Sequence, residues 1–324
     1  MIAAAERNES LPKRGRVDAV DVARGVAVIG MVFYHFTWDL AAFRLVRPAL
    51  PFLPPMRLLS HAIAITFLVL VGASLALAHR NRLNLPAFWK RLALVGAGAA
   101  LVTAASFVAD PGRVVWFGIL HCIVAASIVA LPVITAPAWM SFVAGAAAIA
   151  LPFLFASDLF DPPALLWLGL GKALPDTVDW YPLTPWCGAV LIGLGFARLK
   201  WTDRLLTSPG RWQAQSAVAR ATALAGRRSL LIYLVHQPIL YPLVWAAASA
   251  LASPQALDVG RFVTDCHRAC VASGHLTSEE CATSCRCVAD AIGASREAGW
   301  LASAPLEGER AQALKRMTDA CMGR

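Results

Sequence analysis

The chain has 324 residues, of which 58% are hydrophobic and 15% charged, with a formal charge of +9 and a mean hydropathy of +0.60. That balance is too apolar for an ordinary soluble domain and points to an all-α, polytopic membrane helix bundle. The basic excess lies in short segments beside apolar runs, so it reads as membrane topology rather than as a nucleic-acid surface.

Met1–Pro12 is polar and alanine-rich, with no uninterrupted apolar run or small-residue cleavage site following a basic region as in a signal peptide, and residues 1–15 are expected to be cytoplasmic. A membrane domain is expected over residues 16–252, with about seven apolar segments: Val20–Leu40, Leu58–Ala78, Leu92–Val108, Val114–Ile134, Trp139–Phe155, Pro185–Leu199 and Ser229–Ala252. The stretch Ala164–Leu174 is too short to span and is expected at the interface or as a re-entrant piece. Short loops rich in Lys and Arg stay in the cytoplasm. Placing the N-terminus there puts Lys13, Arg14, Arg80, Arg82, Lys90, Arg91, Arg198, Lys200 and Arg204 on that side, whereas the loop Ser157–Tyr181 on the other side carries Asp158, Asp161, Asp176 and Asp179. An odd number of spans then leaves the C-terminal tail on the outer side of the membrane.

The tail, residues 253–324, holds six of the eight cysteines. Cys266 and Cys270, and again Cys281 and Cys285, lie four apart and so share a helix face. Two such pairs around a turn suggest a helical hairpin stapled by Cys266 to Cys285 and Cys270 to Cys281, with Cys287 to Cys321 as a third bridge. This is one geometric preference among 15 connectivities. His267 and His275 invite a zinc reading, but an even cysteine set on the oxidising side is the simpler explanation, and no metal is expected. Cys122 and Cys187 read as small core residues.

Ionisable groups inside apolar segments are costly and mark sites. Asp18, Asp21 and Arg24 recur at spacings of three at one end of the first helix, as either a structural ion pair or a site for a phosphorylated ligand. Gly25, beside Arg24, permits a close approach there. His35 and Asp39 are one turn apart, so the carboxylate is placed to orient the imidazole as a base or nucleophile. On one helix, about 1.5 Å of rise per residue separates Asp18 from His35 by roughly 25 Å. His121 and His236 are rival candidates, His61 reads as interfacial and His79, among Arg80 and Arg82, as solvated.

The string Arg16-x-Asp18-x2-Asp21-x2-Arg24-Gly25, followed by Met31, His35, Trp38, Asp39 and Leu40, resembles the first helix of bacterial relatives of heparan-alpha-glucosaminide N-acetyltransferase. Later blocks agree: Phe117-Gly118-Ile119-Leu120-His121, Asp179-Trp180-Tyr181-Pro182-Leu183-Thr184-Pro185-Trp186, and Gly226-Arg227-Arg228-Ser229 through His236-Gln237-Pro238. The resemblance implies transfer of an acetyl group from cytoplasmic acetyl-CoA to a sugar amine or hydroxyl of an envelope glycan across the membrane. It implies that His35 matches a far-side histidine implicated in the eukaryotic enzyme. Asp21, Arg24, Arg227 and Arg228 would serve the CoA phosphates, and Asp179, Trp180, Tyr181 and Trp186 would offer a surface for the sugar or anchor the membrane interface. A secondary transporter with a His/Asp relay, and a non-enzymatic protein acting through its tail, are the readings from other classes.

Overall fold

A computed structural model describes residues 17–80, 82–207, 212–251, 259–273, 276–294 and 309–321. Among them all regular structure is helical. Contacts divide the chain into two units, the first ending at Val244 and the second beginning at Trp245.

In the first unit α1 (Asp18–Ala42), α2 (Pro54–Ala78), α3 (Leu85–Ala109) and α5 (Ala138–Phe155) are long and apolar enough to cross a membrane, as is α10 (Ser229–Leu251), in which the division falls. Two shorter apolar helices, α4 (Ile119–Ala130, extended by a 3-10 turn to Val133) and α7 (Leu183–Arg198), bring the apolar helices among the described residues to seven. The chain is thus a multi-pass helical membrane protein. Its surface agrees: Val26, Ile29, Phe33 and Phe36 recur at helical spacing on α1 and are all exposed, which water would penalise and lipid does not. Between α5 and α7, a four-residue helix α6 (Pro163–Leu166) and an extended run occupy the stretch expected to be interfacial or re-entrant.

Two boundaries differ from the hydropathy reading. α3 begins at Leu85 rather than Leu92, because the Asn84 side chain accepts from the Ala87 N–H at 3.1 Å and Pro86 sits in the first turn, where no donor is needed. The fourth segment is helical only from Ile119. Val114–Gly118 is an irregular lead-in, held where the Thr177 hydroxyl donates to the Val114 carbonyl at 2.9 Å and the Tyr181 N–H to the Phe117 carbonyl at 3.2 Å.

The core lies among α2, α4, α5 and α7, where Leu68, Leu75, Cys122, Ala126, Ile134, Val190, Leu191 and Leu194 are almost fully buried. Cys122 and Cys187 are both buried thiols. Helices in lipid gain little from burying apolar surface against one another, so they pack through small residues that let backbones touch. Gly72 of α2 faces the backbone of α7 at Val190, and Gly193 of α7 faces that of α2 at Val69. The same device joins α1 to α9 (Ala217–Arg227), which follows the short amphipathic α8 (Lys200–Thr207). Gly25 lies against the Thr222 carbonyl and Gly226 against the Asp21 carbonyl.

The second unit contains α11 (Val259–Ser273), α12 (Ser278–Ala294) and α13 (Glu309–Cys321). Disulfides Cys266–Cys285 and Cys270–Cys281 join α11 to α12, and Cys287–Cys321 joins α12 to α13. Cys281, Cys285, Val288, Ala289 and Ile292 form its buried stripe. α12 opens with a reciprocal cap: the Thr277 N–H donates to the Glu280 carboxylate at 2.8 Å and the Glu280 N–H to the Thr277 hydroxyl at 3.3 Å. Those bonds hold the Glu280 carboxyl below its usual range. His267 contacts the Ser278 hydroxyl at 3.1 Å, and His275 lies outside the described residues.

The α1–α9 crossing generates a prediction. A methyl group on Gly226 has no room beside the Asp21 carbonyl, so Gly226→Ala is expected to cost about 1–3 kcal/mol through overpacking. In detergent, thermal unfolding should fall for this variant and stay unchanged for Ala221→Leu, on the exposed side of the same helix.

Candidate active site

At the N-terminal end of α1, two acids and two arginines from different helices interlock. Arg227 donates from Nη2 to Asp18 Oδ1 and from Nε to Asp21 Oδ2, both at 2.9 Å. Arg24 pairs with Asp21 Oδ1 at 3.3 Å and donates to the Ser74 hydroxyl of α2 at 2.7 Å. Asp18 Oδ2 also accepts from the Ala214 N–H at 3.1 Å. The hydrogen bond to Asp21, and then the charges of both acids, raise the Arg227 pKa. The cluster is a structural lock on the α1–α9 crossing: Asp21, buried, is shared by two guanidiniums. Arg228 is exposed and makes no ion pair among the described residues. Arg16, the first residue of the motif, lies outside them.

Toward the other end of α1 the structure joins two histidines that are 201 positions apart. His35 Nδ1 and His236 Nε2 of α10 are 2.7 Å from each other, with ring centroids 4.8 Å apart. His236 Nδ1 lies 2.7 Å from the Tyr233 carbonyl one turn earlier on α10. Asp39, expected to orient His35, turns instead to the neighbour of His236: Gln237 Nε2 donates to Asp39 Oδ1 at 3.5 Å. Asp39 is 4% exposed, and its Oδ2 and the Gln237 Oε1 are buried without a hydrogen-bond partner among the described residues. A carboxylate this poorly satisfied is costly in a membrane interior and marks a place for a donor. Pro238 and Pro242 interrupt the α10 hydrogen-bond ladder just beyond.

His121 sits elsewhere. Its Nδ1 accepts from the Gly118 N–H at 3.3 Å and its Nε2 contacts the Thr103 hydroxyl of α3 at 3.2 Å. One nitrogen thus caps the start of α4 and the other ties it to α3. Asp179 caps the same helix, its Oδ2 accepting from the Ile119 N–H at 3.1 Å and meeting the Tyr233 hydroxyl at 3.4 Å. Gly118 carries no side chain because the Asp179 carboxylate fills that space. Tyr181 meets Trp186 edge-on with ring centroids 4.8 Å apart, and His61 stacks on Trp186 at 5.9 Å. Trp180 is partly buried in the same segment. His79 is a correction: it is 3% exposed rather than solvated, closing α2 and accepting from the Asn84 N–H at 3.1 Å. Burial, and then the charge of Arg91, lower its pKa.

The structure therefore gathers His35, Asp39, His236 and Gln237 and links them through Tyr233 to Asp179, which caps the same helix start that His121 holds, while the Arg24 cluster stands apart. Ser74 and Thr103 do not figure in the sequence reading, and Tyr233 figures there only as a member of the Gly226–Pro238 block, with no role of its own. Tyr233 lies one turn from His236 on α10, a signal that helical spacing offered; Ser74 and Thr103 are defined by contacts across helices and offered none. No group of His, Cys, Asp and Glu among the described residues is arranged to hold a metal.

Fold and site together define an integral membrane protein with a pair of hydrogen-bonded imidazoles inside its helix bundle. Residues 16–238 match the model of the family described as heparan-alpha-glucosaminide N-acetyltransferase, catalytic, a span that includes His35, His121, Asp179 and His236 and stops before the cysteine-rich tail. The chain belongs to that family of membrane acetyltransferases. No curated protein matches it, and no solved structure does.

The cap on α4 gives a pH dependence. Burial raises the Asp179 carboxyl to about 6, against the lowering effect of the Ile119 N–H and the Tyr233 hydroxyl. The folded state holds this proton more tightly than the unfolded chain, where the pKa is about 4, so its contribution is complete below that pH and is lost as pH rises through the folded value. Asp179→Asn keeps an acceptor for Ile119 and cannot ionise. Its melting temperature is expected to gain on the wild type as pH is raised from about 4 to 7. A difference that does not change with pH contradicts this account.

Proposed function

We propose that this protein transfers an acetyl group from cytoplasmic acetyl-CoA to an amine or hydroxyl of an envelope glycan on the far side of the bacterial inner membrane, with His35 as the reacting residue. The observation that carries the reading is the His35–His236 hydrogen bond, in a chain belonging to a family of membrane acetyltransferases. The positive-inside pattern supports an orientation with Asp18, Asp21 and Arg24 at the cytoplasmic face and His35 and Asp39 deeper toward the periplasm. Residues 16–252 then form the acyltransferase domain and residues 253–324 a periplasmic tail, a compartment that suits its disulfides.

The chemistry is an acyl transfer. The acceptor nitrogen or oxygen attacks the thioester carbonyl carbon and loses its proton to His35. The carbon–sulfur bond breaks, and the departing CoA thiolate takes the proton back as a thiol. A base positioned in this way contributes typically 10²–10⁴-fold. Asp39 Oδ2 and Gln237 Oε1, the two unpartnered acceptors, face a need that the N–H or O–H of an incoming acceptor meets. Asp179, Trp180, Tyr181 and Trp186 contribute the aromatic and acidic segment beside the far end of the bundle, suited to a sugar face. At the cytoplasmic end Asp18 and Asp21 already engage Arg24 and Arg227, so the principal phosphate contact falls to Arg228, with Arg227 beside it.

Two measurements follow. Purified protein in liposomes, given labelled acetyl-CoA and an envelope-glycan fraction, is expected to transfer label, and His35→Ala to lower kcat by roughly 100-fold or more. Undiminished transfer by His35→Ala removes His35 from the chemistry; no transfer and no CoA binding by the wild type overturns the enzyme reading. Arg228→Ala is expected to raise KM for acetyl-CoA with kcat unchanged, the signature of lost ground-state binding.

A further inference from the structure

We infer that His236 is a positioning residue that fixes His35 in a single tautomer, with the proton on Nδ1 and the Nε2 lone pair presented for reaction. The inference rests on the acetyl-transfer reading for its purpose and on two contacts among four atoms for its substance. The Tyr233 carbonyl has no proton to give, so its 2.7 Å contact with His236 requires that His236 Nδ1 carry the hydrogen. A neutral imidazole holds one N–H, which leaves His236 Nε2 as an acceptor. The 2.7 Å contact from that nitrogen to His35 Nδ1 therefore places the second hydrogen on His35 Nδ1. His35 Nε2 is then bare, and no described residue donates to it.

The order runs in one direction only, because it starts from a backbone carbonyl that cannot change roles. Free neutral histidine favours the opposite tautomer, with the proton on Nε2. An unassisted His35 would thus present a donor where a base or nucleophile is needed. The pair also sets a capacity of one proton. When Nε2 of His35 takes a proton from the acceptor, the charge is shared along the His35–His236 hydrogen bond and stops there, since the Tyr233 carbonyl passes nothing on. A second proton would put hydrogens on both facing nitrogens at 2.7 Å and break the contact. The base is therefore reset by the CoA thiolate it protonates and not by leakage into the helix behind it. Asp39, satisfied by Gln237 on one oxygen, is left to bind the acceptor rather than to steer the imidazole.

The test reads tautomers directly. Full-length protein with 15N-labelled histidine is placed in lipid nanodiscs, and the His35 ring nitrogens are assigned by their loss in His35→Asn. The wild type is expected to show His35 protonated at Nδ1. His236→Gln, whose amide oxygen still accepts, is expected to keep that pattern and most of kcat. His236→Leu is expected to turn His35 toward Nε2 protonation and to lower kcat by roughly 100-fold while leaving KM for acetyl-CoA unchanged. His35 protonated at Nε2 in the wild type overturns the inference, even where transfer activity is present. The same pattern in His236→Leu as in the wild type also overturns it. Because the spectrum needs no turnover, absence of acetyl transfer with the Nδ1–H pattern intact sinks the function while the tautomer assignment stands.

Discussion

A 2.7 Å hydrogen bond between His35 and His236 ties the first long helix to α10, and much of the interior is arranged around its demands. An imidazole in an apolar bundle must have its nitrogens satisfied or it costs free energy that lipid does not return. Here the backbone of α10 satisfies one nitrogen of His236, His236 satisfies one of His35, and the chain of partners ends at an open acceptor. The unpartnered oxygens of Asp39 and Gln237 lie on the same two helices, one turn and one residue away. Unsatisfied acceptors gathered in this way are a poor arrangement for stability and a suitable one for a substrate that brings donors.

Bringing α1 and α10 to this contact requires the end far from the histidines to be held rigidly. Small residues and charge do so together. Gly25 and Gly226 let α1 and α9 touch through their backbones, and Arg227, one residue after Gly226, reaches Asp18 and Asp21. Arg24 carries the lock on to α2 through Ser74. Arg24, which sequence spacing offers for a phosphorylated ligand, and Arg227, which the family resemblance adds, are thus drawn largely into a structural role. The loop before α7 works similarly, Asp179 capping α4 while touching Tyr233, so that the segment rich in aromatic residues is joined to the helix that carries His236.

Hydropathy was enough to read seven apolar helices, because a bilayer forces the backbone to satisfy itself within each segment. The paired cysteines of the tail were equally legible, since spacings of four define a helix face. Segment ends were less so: Asn84 and Pro86 start α3 early by local capping, whereas the irregular Val114–Gly118 depends on a loop 60 residues later. The site was readable in its members and not in its pairings. His35 and Asp39 do share a turn, but an adjacent helix supplies both of them with nearer partners, and periodicity carries no information about an adjacent helix. His79 shows the same limit, since a residue followed by Arg80 and Arg82 folds inward to close α2 and receive the Asn84 N–H.

Acetyl transfer at the His35–His236 pair is open to a decisive check in an experimental structure with acetyl-CoA bound. The thioester is expected to lie in the bundle facing His35 Nε2, with room for one acceptor atom between them and reacting atoms separated by about 3–3.5 Å. A thioester held away from His35, with that imidazole turned toward lipid, contradicts it.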